Sequence, residues 1–314
     1  MVRFILRRSG FVLVSLFVSS LLIFAATQIV PGDVATVILG RYATPEALKN
    51  LRTELGLDRP PTAQYLSWLG NYMRGDWGIS LSTGSPVMEL VLQRLRNSSM
   101  LAAVGFLLYV PLGIFLGLIA ALRRNRITDQ IISVVSLAFV GIPEFVTGVI
   151  LIAVFALKLG LLPASSAIPP DAGFFEALPH LILPGITVSL ASLAYVTRMT
   201  RSSTIEVLDT DYVRTAFLKG LSPTRVLFVH VLRNALLPTV TVVAIGVGWL
   251  IGGLIVTESL FSYPGLGRLL LFAIQRRDLP LIQATTMLIV FIFSFFNLLA
   301  DVIYAVLNPR IRYG

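Results

Sequence analysis

The sequence predicts an all-α membrane protein with six transmembrane helices, on three observations. Hydrophobic residues fill 56% of the 314 positions and charged residues 13%, against roughly 45–50% and about 25% in soluble domains. Mean hydropathy is +0.85. Crossing the hydrocarbon core takes about 20 apolar residues, and six runs of that length lie at 9–30, 98–122, 131–157, 179–197, 236–257 and 281–307. None alternates polar and apolar residues like a barrel strand, so each satisfies its own backbone as a helix. A water-soluble globule is excluded, and residues 1–314 read as a single membrane domain.

The first run follows Arg3, Arg7 and Arg8. It is too long for a usual signal-peptide core and lacks a convincing small-residue cleavage site, so it reads as a retained span. The outer loop 31–97 carries its own structure. Thr44 as N-cap, Pro45 at the first helical position and Gly56 as a stop define a short surface helix. Tyr65, Leu66, Trp68, Leu69, Tyr72 and Met73 follow at helical spacing, then a turn through Gly75, Asp76, Trp77 and Gly78. Such aromatics either anchor the chain at the membrane interface or form a docking surface for an external partner.

Within the spans, Gly113 with Gly117 and Gly248 with Gly252 allow close helix approach. Pro111, Pro143 and Pro184 each remove a backbone hydrogen bond, which predicts kinks or hinges. Glu144, mid-span beside Pro143, costs about 2.5–3.5 kcal/mol if charged in lipid. It therefore faces protein, water or a partner, either in a pathway or in a hydrogen bond to a neighbouring helix. Asp301 lies nearer the inner end, where Arg310, Arg312 or lipid-level water would satisfy it. After the fifth span come Glu258, Phe261, Pro264, Gly265, Gly267 and Arg268. Glycines there permit tight turns and the phenylalanine offers a bulky plug, so the segment is either a structural loop or an outer gate.

The inner loop 198–235 is amphipathic. From Thr204 to Lys219 the residues Ile205, Leu208, Tyr212, Val213, Ala216 and Phe217 share one helical face. Gly220 stops this helix in a left-handed conformation, and Ser222 with Pro223 starts a second one. The helix–glycine–helix bracket either lies on the membrane or meets a partner.

Charge sets the orientation. With the N-terminus inside, inner segments carry 14 Lys/Arg in 61 residues and outer segments 11 in 111, which places both termini in the cytoplasm. Basic inner ends meeting anionic lipid also account for the net charge of +9, and no separate basic domain exists to hold nucleic acid. Cysteine is absent, and the histidines are His180 and His230 alone, so Cys/His metal sites and thiol chemistry are excluded. No P-loop surrounds any of the three lysines, so ATP use would have to be borrowed. No nucleophile–base–orienter set points to an enzyme, and neither internal repeats nor paired broken helices point to a secondary transporter.

The inner loop carries a recognisable pattern: Asp211, Tyr212, Val213, Arg214, Thr215, Ala216, then Lys219, Gly220, Leu221, Ser222, then His230 and Leu232 through Pro238. It resembles the coupling loop of ATP-binding cassette importer permeases of the dipeptide/oligopeptide family. The resemblance extends along nearly the whole chain, through Pro31–Asp33, Leu55–Asp58, Gly75–Gly78, Ile142–Phe145, Glu258 to Arg268, and Asn297 to Arg312. Two departures stand out. The usual Glu-Ala-Ala start is Arg214, Thr215, Ala216 here, and Phe217 and Leu218 replace the family's more polar pair before Lys219 and Gly220.

The resemblance implies a type I importer permease fold in a bacterial or archaeal plasma membrane. Its implied partners are a second, usually different permease chain, two cytoplasmic ATPases that use ATP and Mg, and an extracytoplasmic substrate-binding protein. Asp211, Tyr212, Arg214, Thr215, Ala216, Lys219, Gly220 and Leu221 would couple to the ATPase. Pro143, Glu144, Glu258, Phe261, Pro264 and Gly265 would line the pathway or gate it. No cofactor is expected on this chain. Cargoes in the family include dipeptides, oligopeptides, nickel chelates, glutathione and oligosaccharides.

Overall fold

A computed structural model of the protein describes residues 2–29, 39, 44–54, 58–167 and 173–307. Expectations on Pro31–Asp33, 55–57, Asn308, Pro309, Arg310, Ile311 and Arg312 fall outside these. The described residues form helices α1 (Val2–Ile29), α2 (Pro45–Glu54), α3 (Pro61–Met73), α4 (Val87–Leu122), α5 (Ile127–Gly141) and α6 (Glu144–Leu151). A π-helical stretch, Ile152–Lys158, continues α6. Then come α7 (Phe174–Leu208), α8 (Asp211–Leu218), α9 (Pro223–Arg225), a second π-helical stretch (Val226–Val231), α10 (Leu232–Leu260), α11 (Leu266–Arg276) and α12 (Leu279–Leu307). Among the described residues five helices are long and apolar enough to cross a membrane, and the bent pair of α5 and α6 makes a sixth if counted as one span.

That third span departs from expectation, because it is not one helix. Its direction turns by 107° between Gly141 and Glu144. Pro143 has no N–H to continue the ladder, and the residue before a proline is driven to extended backbone; Ile142 sits at φ −87°, ψ 126°. Pro111 and Pro184, by contrast, lie inside unbroken helices.

The centre of the fold is the packing of α4, α7 and α10 around Leu101, Tyr109, Leu181, Val196 and Leu250. Lipid supplies no hydrophobic drive between helices, so small residues that let backbones approach carry the association. A Cβ on Gly117 would stand 2.6 Å from the Thr197 carbonyl oxygen, and one on Gly113 would strike Val196. The predicted close approach of Gly113 and Gly117 is therefore present, between α4 and α7. At 36 residues α4 also overruns its expected span of 98–122. Its outer turns bury Val87 and Val91 against Leu266, Leu269 and Ala273 of α11 and Leu281 of α12.

The outer loop is tied down in two places. Phe24 of α1 begins a ladder of rings through Tyr65, Trp68, Tyr72 and Trp77, each pair with centroids 5.0 to 6.1 Å apart. Ser20 Oγ and Tyr65 OH are hydrogen-bonded at 2.8 Å beneath it. The expected N-cap is made by Thr44 Oγ1, which accepts from the Ala47 N–H at 3.3 Å. Further along, the buried Asp278 carboxylate accepts from Ser80 Oγ (2.5 Å), Ser82 Oγ (2.7 Å) and Ser82 N (3.0 Å), which pins the loop to the start of α12.

Candidate functional site

The inner bracket departs from the single helix expected over Thr204–Lys219. α7 ends at Leu208, and Thr210 turns extended (φ −82°, ψ 148°) as the N-cap of α8. The Thr210 hydroxyl donates to the Val207 carbonyl at 2.5 Å, a side-chain bond that competes with the helical ladder. Of the six residues that share one helical face in the sequence, Val213 and Ala216 are buried, while Tyr212 and Phe217 are 42% and 46% exposed.

Gly220 has φ +77°, and the space where a Cβ would stand is open, so backbone conformation alone demands glycine. Its N–H donates to Phe217 O at 2.9 Å, and Leu221 N donates to Ala216 O at 3.4 Å. Ser222 Oγ accepts from Arg225 N at 3.4 Å and Pro223 opens the second arm, as the sequence predicts. Val213 and Ala216 pack on Val226, Val231 and Ala235 with Leu221 alongside. Tyr212 OH donates to the His230 carbonyl (3.2 Å) and accepts from Asn234 Nδ2 (2.9 Å). Asp211 starts α8, where its charge suits the helix dipole, and Thr215 Oγ1 bonds back to Asp211 O at 2.9 Å. Arg214 and Lys219 are exposed, as are Phe217 and Leu218 (81%) between them in sequence and Phe228 (65%) on the second arm. The bracket is thus a packed corner with a basic, apolar outer edge.

On the other side of the fold, Glu258 is fully buried near the end of α10. Its carboxylate accepts from Ser98 Oγ at 2.5 Å, Gly267 N at 2.7 Å and Arg268 N at 3.2 Å. Ser98 Oγ in turn accepts from Leu266 N at 2.8 Å. Gly265, the N-cap of α11, has no side chain to satisfy these first-turn N–H groups, so Glu258 and Ser98 supply the oxygens from α10 and α4. A Cβ on Gly265 would overlap the Glu258 carboxylate.

Pro264 O accepts from Asn97 Nδ2 (2.8 Å) and Arg94 Nη1 (3.3 Å), and Tyr263 OH donates to Asn97 O (2.6 Å). Burial holds the Tyr263 phenol above its ordinary range. Phe261 is wholly buried, with its ring near Gly148 of α6, and its carbonyl accepts from Ser166 N at 2.8 Å.

Glu144, just after Pro143, opens α6 and accepts a hydrogen bond from Thr257 Oγ1 on α10. This is the helix–helix bond weighed from the sequence. Asp301 finds its partner at the opposite end of the chain, pairing with Arg8 at 2.8 Å.

A cavity of about 570 Å³ lies between α4, α10 and α12, lined by apolar side chains including Phe106, Val243 and Leu254, with Ser98 and Ser99. Pro143, Glu144, Glu258, Phe261, Pro264 and Gly265 are not among its lining residues. The structure therefore gathers Glu258, Pro264 and Gly265 at one turn and joins Glu144 to Thr257 beside it. It keeps both groups away from the bracket. Ser98, Asn97 and Thr257 were not singled out from the sequence. The polar triplet Asn97, Ser98, Ser99 at the edge of an apolar run was the available signal.

A multi-pass bundle with an inner helix–glycine–helix corner and a separate packed outer turn is the architecture of a membrane permease. The profile of the binding-protein-dependent transport system inner membrane component family matches residues 113–313, and that of its N-terminal region matches 1–102. The chain belongs to this family, and it is a permease subunit of a binding-protein-dependent importer in the plasma membrane. It is 39% identical over 310 residues to the probable peptide ABC transporter permease protein y4tP of Sinorhizobium fredii, covering 99% of each chain. It is 40% identical to the dipeptide transport system permease protein DppB of Escherichia coli K12 (100% of this chain, 99% of that one). Identity to the glutathione transport system permease protein GsiC of the same strain is 37% over the full length of both. Among solved structures it resembles the MetNI methionine ABC transporter in inward facing conformations, at 17% identity and a TM-score of 0.52, covering 71% of this chain and 96% of that one. That likeness concerns the fold alone, which is the type I importer permease fold.

Proposed function

We propose that this permease forms half of a translocation pathway for peptides or similar small solutes. In this reading a second, related permease supplies the other half, two cytoplasmic ATPases drive it, and an extracytoplasmic binding protein delivers the cargo. The relatives named for peptide, dipeptide and glutathione transport support a peptidic cargo. The chain binds no cofactor of its own, and the ATPases handle ATP and Mg. Both termini face the cytoplasm, as the distribution of basic residues favours.

The bracket carries the reading. Asp211, Tyr212, Thr215, Ala216 and Leu221 shape the corner, Gly220 turns it, and Arg214 and Lys219 flank an exposed apolar edge. Membrane contact would use a broad apolar face, whereas a compact basic and apolar knob suits a groove in a soluble ATPase. Two such knobs on two ATPases give a closed, pseudo-twofold assembly. At the outer side, Glu258, Phe261, Pro264 and Gly265 form the gate as one packed unit with α11, and Pro143 and Glu144 set its position through Thr257.

Two measurements test this. Uptake of labelled dipeptides into vesicles containing the whole complex should require ATP and survive collapse of the proton gradient. A cysteine at Lys219 should crosslink to the ATPase. Uptake that followed the proton gradient instead, or no crosslink, would overturn the reading.

A further inference from the structure

Helix α5 is poorly attached by apolar contact. Its buried residues are Asp129 and Ser136, both polar, while Ile127, Ile131, Val134, Val135 and Leu137 are 47–73% exposed. What holds its inner end is charge. The Arg201 guanidinium on α7 donates to both Asp129 oxygens, Nε to Oδ1 at 2.5 Å and Nη2 to Oδ2 at 2.7 Å. This is the planar bidentate geometry that fixes orientation as well as distance. Asp129 also accepts from Asn125 N (3.0 Å), at a left-handed residue, and from Ser133 Oγ (3.3 Å). One carboxylate therefore fixes the inner turn, the start of α5 and the side of α7.

The same inner turn reaches the bracket. Arg124 Nη1 donates to Asp209 Oδ2 at 2.9 Å, at the break between α7 and α8. Asp209 lies eight residues beyond Arg201, about 12 Å further along the chain. The middle of the α5–α6 span is held at its bend, where Glu144, the first residue of α6, accepts from Thr257, one residue before the Glu258 that organises the outer turn. Between the two polar grips lies the length of α5, and the 107° bend at Pro143 immediately precedes the second.

We propose that Asp129 and Arg201, assisted by Arg124 and Asp209, are positioning residues for energy coupling. They make the α5–α6 span a lever that follows the bracket and carries its displacement to the outer turn through Glu144 and Thr257. Packing holds α6 to α10, where a Cβ on Gly148 would strike Leu260. The exposed apolar face of α5 adds no such hold, since lipid is as good a neighbour for it as protein is, and there the ion pair makes the link. The inference rests on the bracket docking the ATPase.

The test uses the full complex with its ATPases and binding protein, reconstituted and supplied with dipeptide. Asp129→Asn keeps the size and removes the charge. The expected result is a fall of about tenfold in solute moved per ATP hydrolysed, with substrate-stimulated ATPase activity within about twofold of wild type. Arg124→Glu at the exposed pair should lower the same ratio, and Arg124→Glu with Asp209→Arg should restore it. A purely structural role would lower transport, ATPase activity and complex yield together, leaving the ratio unchanged, and that result overturns the inference. If Asp129→Asn fails to accumulate, the exposed pair decides: an unchanged ratio in Arg124→Glu overturns it. The crosslink from position 219 separates this failure from that of the bracket reading. A normal crosslink with an unchanged ratio removes the lever alone, and no crosslink in the wild-type complex removes both.

Discussion

Glu258 shows how one side chain can organise a turn. It satisfies two first-turn N–H groups of α11 and accepts from Ser98, all within buried surroundings. Leaving buried donors unpaired costs about 1–3 kcal/mol each, so losing the acceptor of the two N–H groups in Glu258→Ala should destabilise the subunit by about 2–6 kcal/mol. A melting temperature several degrees lower for the detergent-purified complex would show it. Gly265→Ala should behave alike, because its methyl would occupy the space of the carboxylate. The sequence made Glu258 and Gly265 conspicuous as part of either a structural loop or an outer gate; it could not show that a serine 160 positions away completes the site. Glu144 was legible in the same partial way. A carboxylate in a span needs a partner, and the partner, Thr257, is a residue whose spacing carries no signal. Glu144→Ala and Thr257→Val should therefore be non-additive in stability, with a coupling of about 0.6–1.7 kcal/mol in a double-mutant cycle. Glu144→Gln should be milder, since its amide oxygen still accepts from the threonine.

At the scale of elements, apolar run length located the spans and turn chemistry located the corners. Gly220, Ser222, Thr44 and Gly75 all do what their residue types predict. Periodicity failed at two places. The α7–α8 break depends on Thr210 bonding to Val207, a local competition invisible to a hydrophobic pattern that runs smoothly across it. The outer turns of α4 lie beyond the apolar run because protein, not lipid, covers them. The bracket supplies the prediction at this scale. A β-branched residue at φ +77° costs roughly 1–2 kcal/mol, too little to unfold a helical bundle but enough to redirect α9. Gly220→Val should keep normal membrane levels and lose substrate stimulation of ATPase activity. Full stimulation in that variant would show that the corner's shape is irrelevant to coupling.

For the whole molecule, orientation rests on charge and the absence of native cysteine gives a clean way to measure it. Single cysteines at Lys219 and Asp76 should be labelled by an impermeant reagent from the cytoplasmic side and the outside respectively; both positions are exposed. Labelling of position 219 from outside intact cells would invert the topology. The first and last spans are joined by Arg8 and Asp301 and by Gln283 Nε2 donating to Thr27 Oγ1 at 2.8 Å. The first and last spans are thus tied by polar contacts near both ends.

The aromatic ladder on the outer loop has a spectroscopic use. The chain has three tryptophans, and two of them, Trp68 and Trp77, stand in that ladder, with Trp77 Nε1 donating to the Tyr72 carbonyl at 3.1 Å. Changing Trp249 to Phe would leave indole emission arising from the outer loop alone. Its wavelength and quenching by aqueous iodide would then report, without any attached dye, whether an arriving binding protein shields this face or leaves it wet.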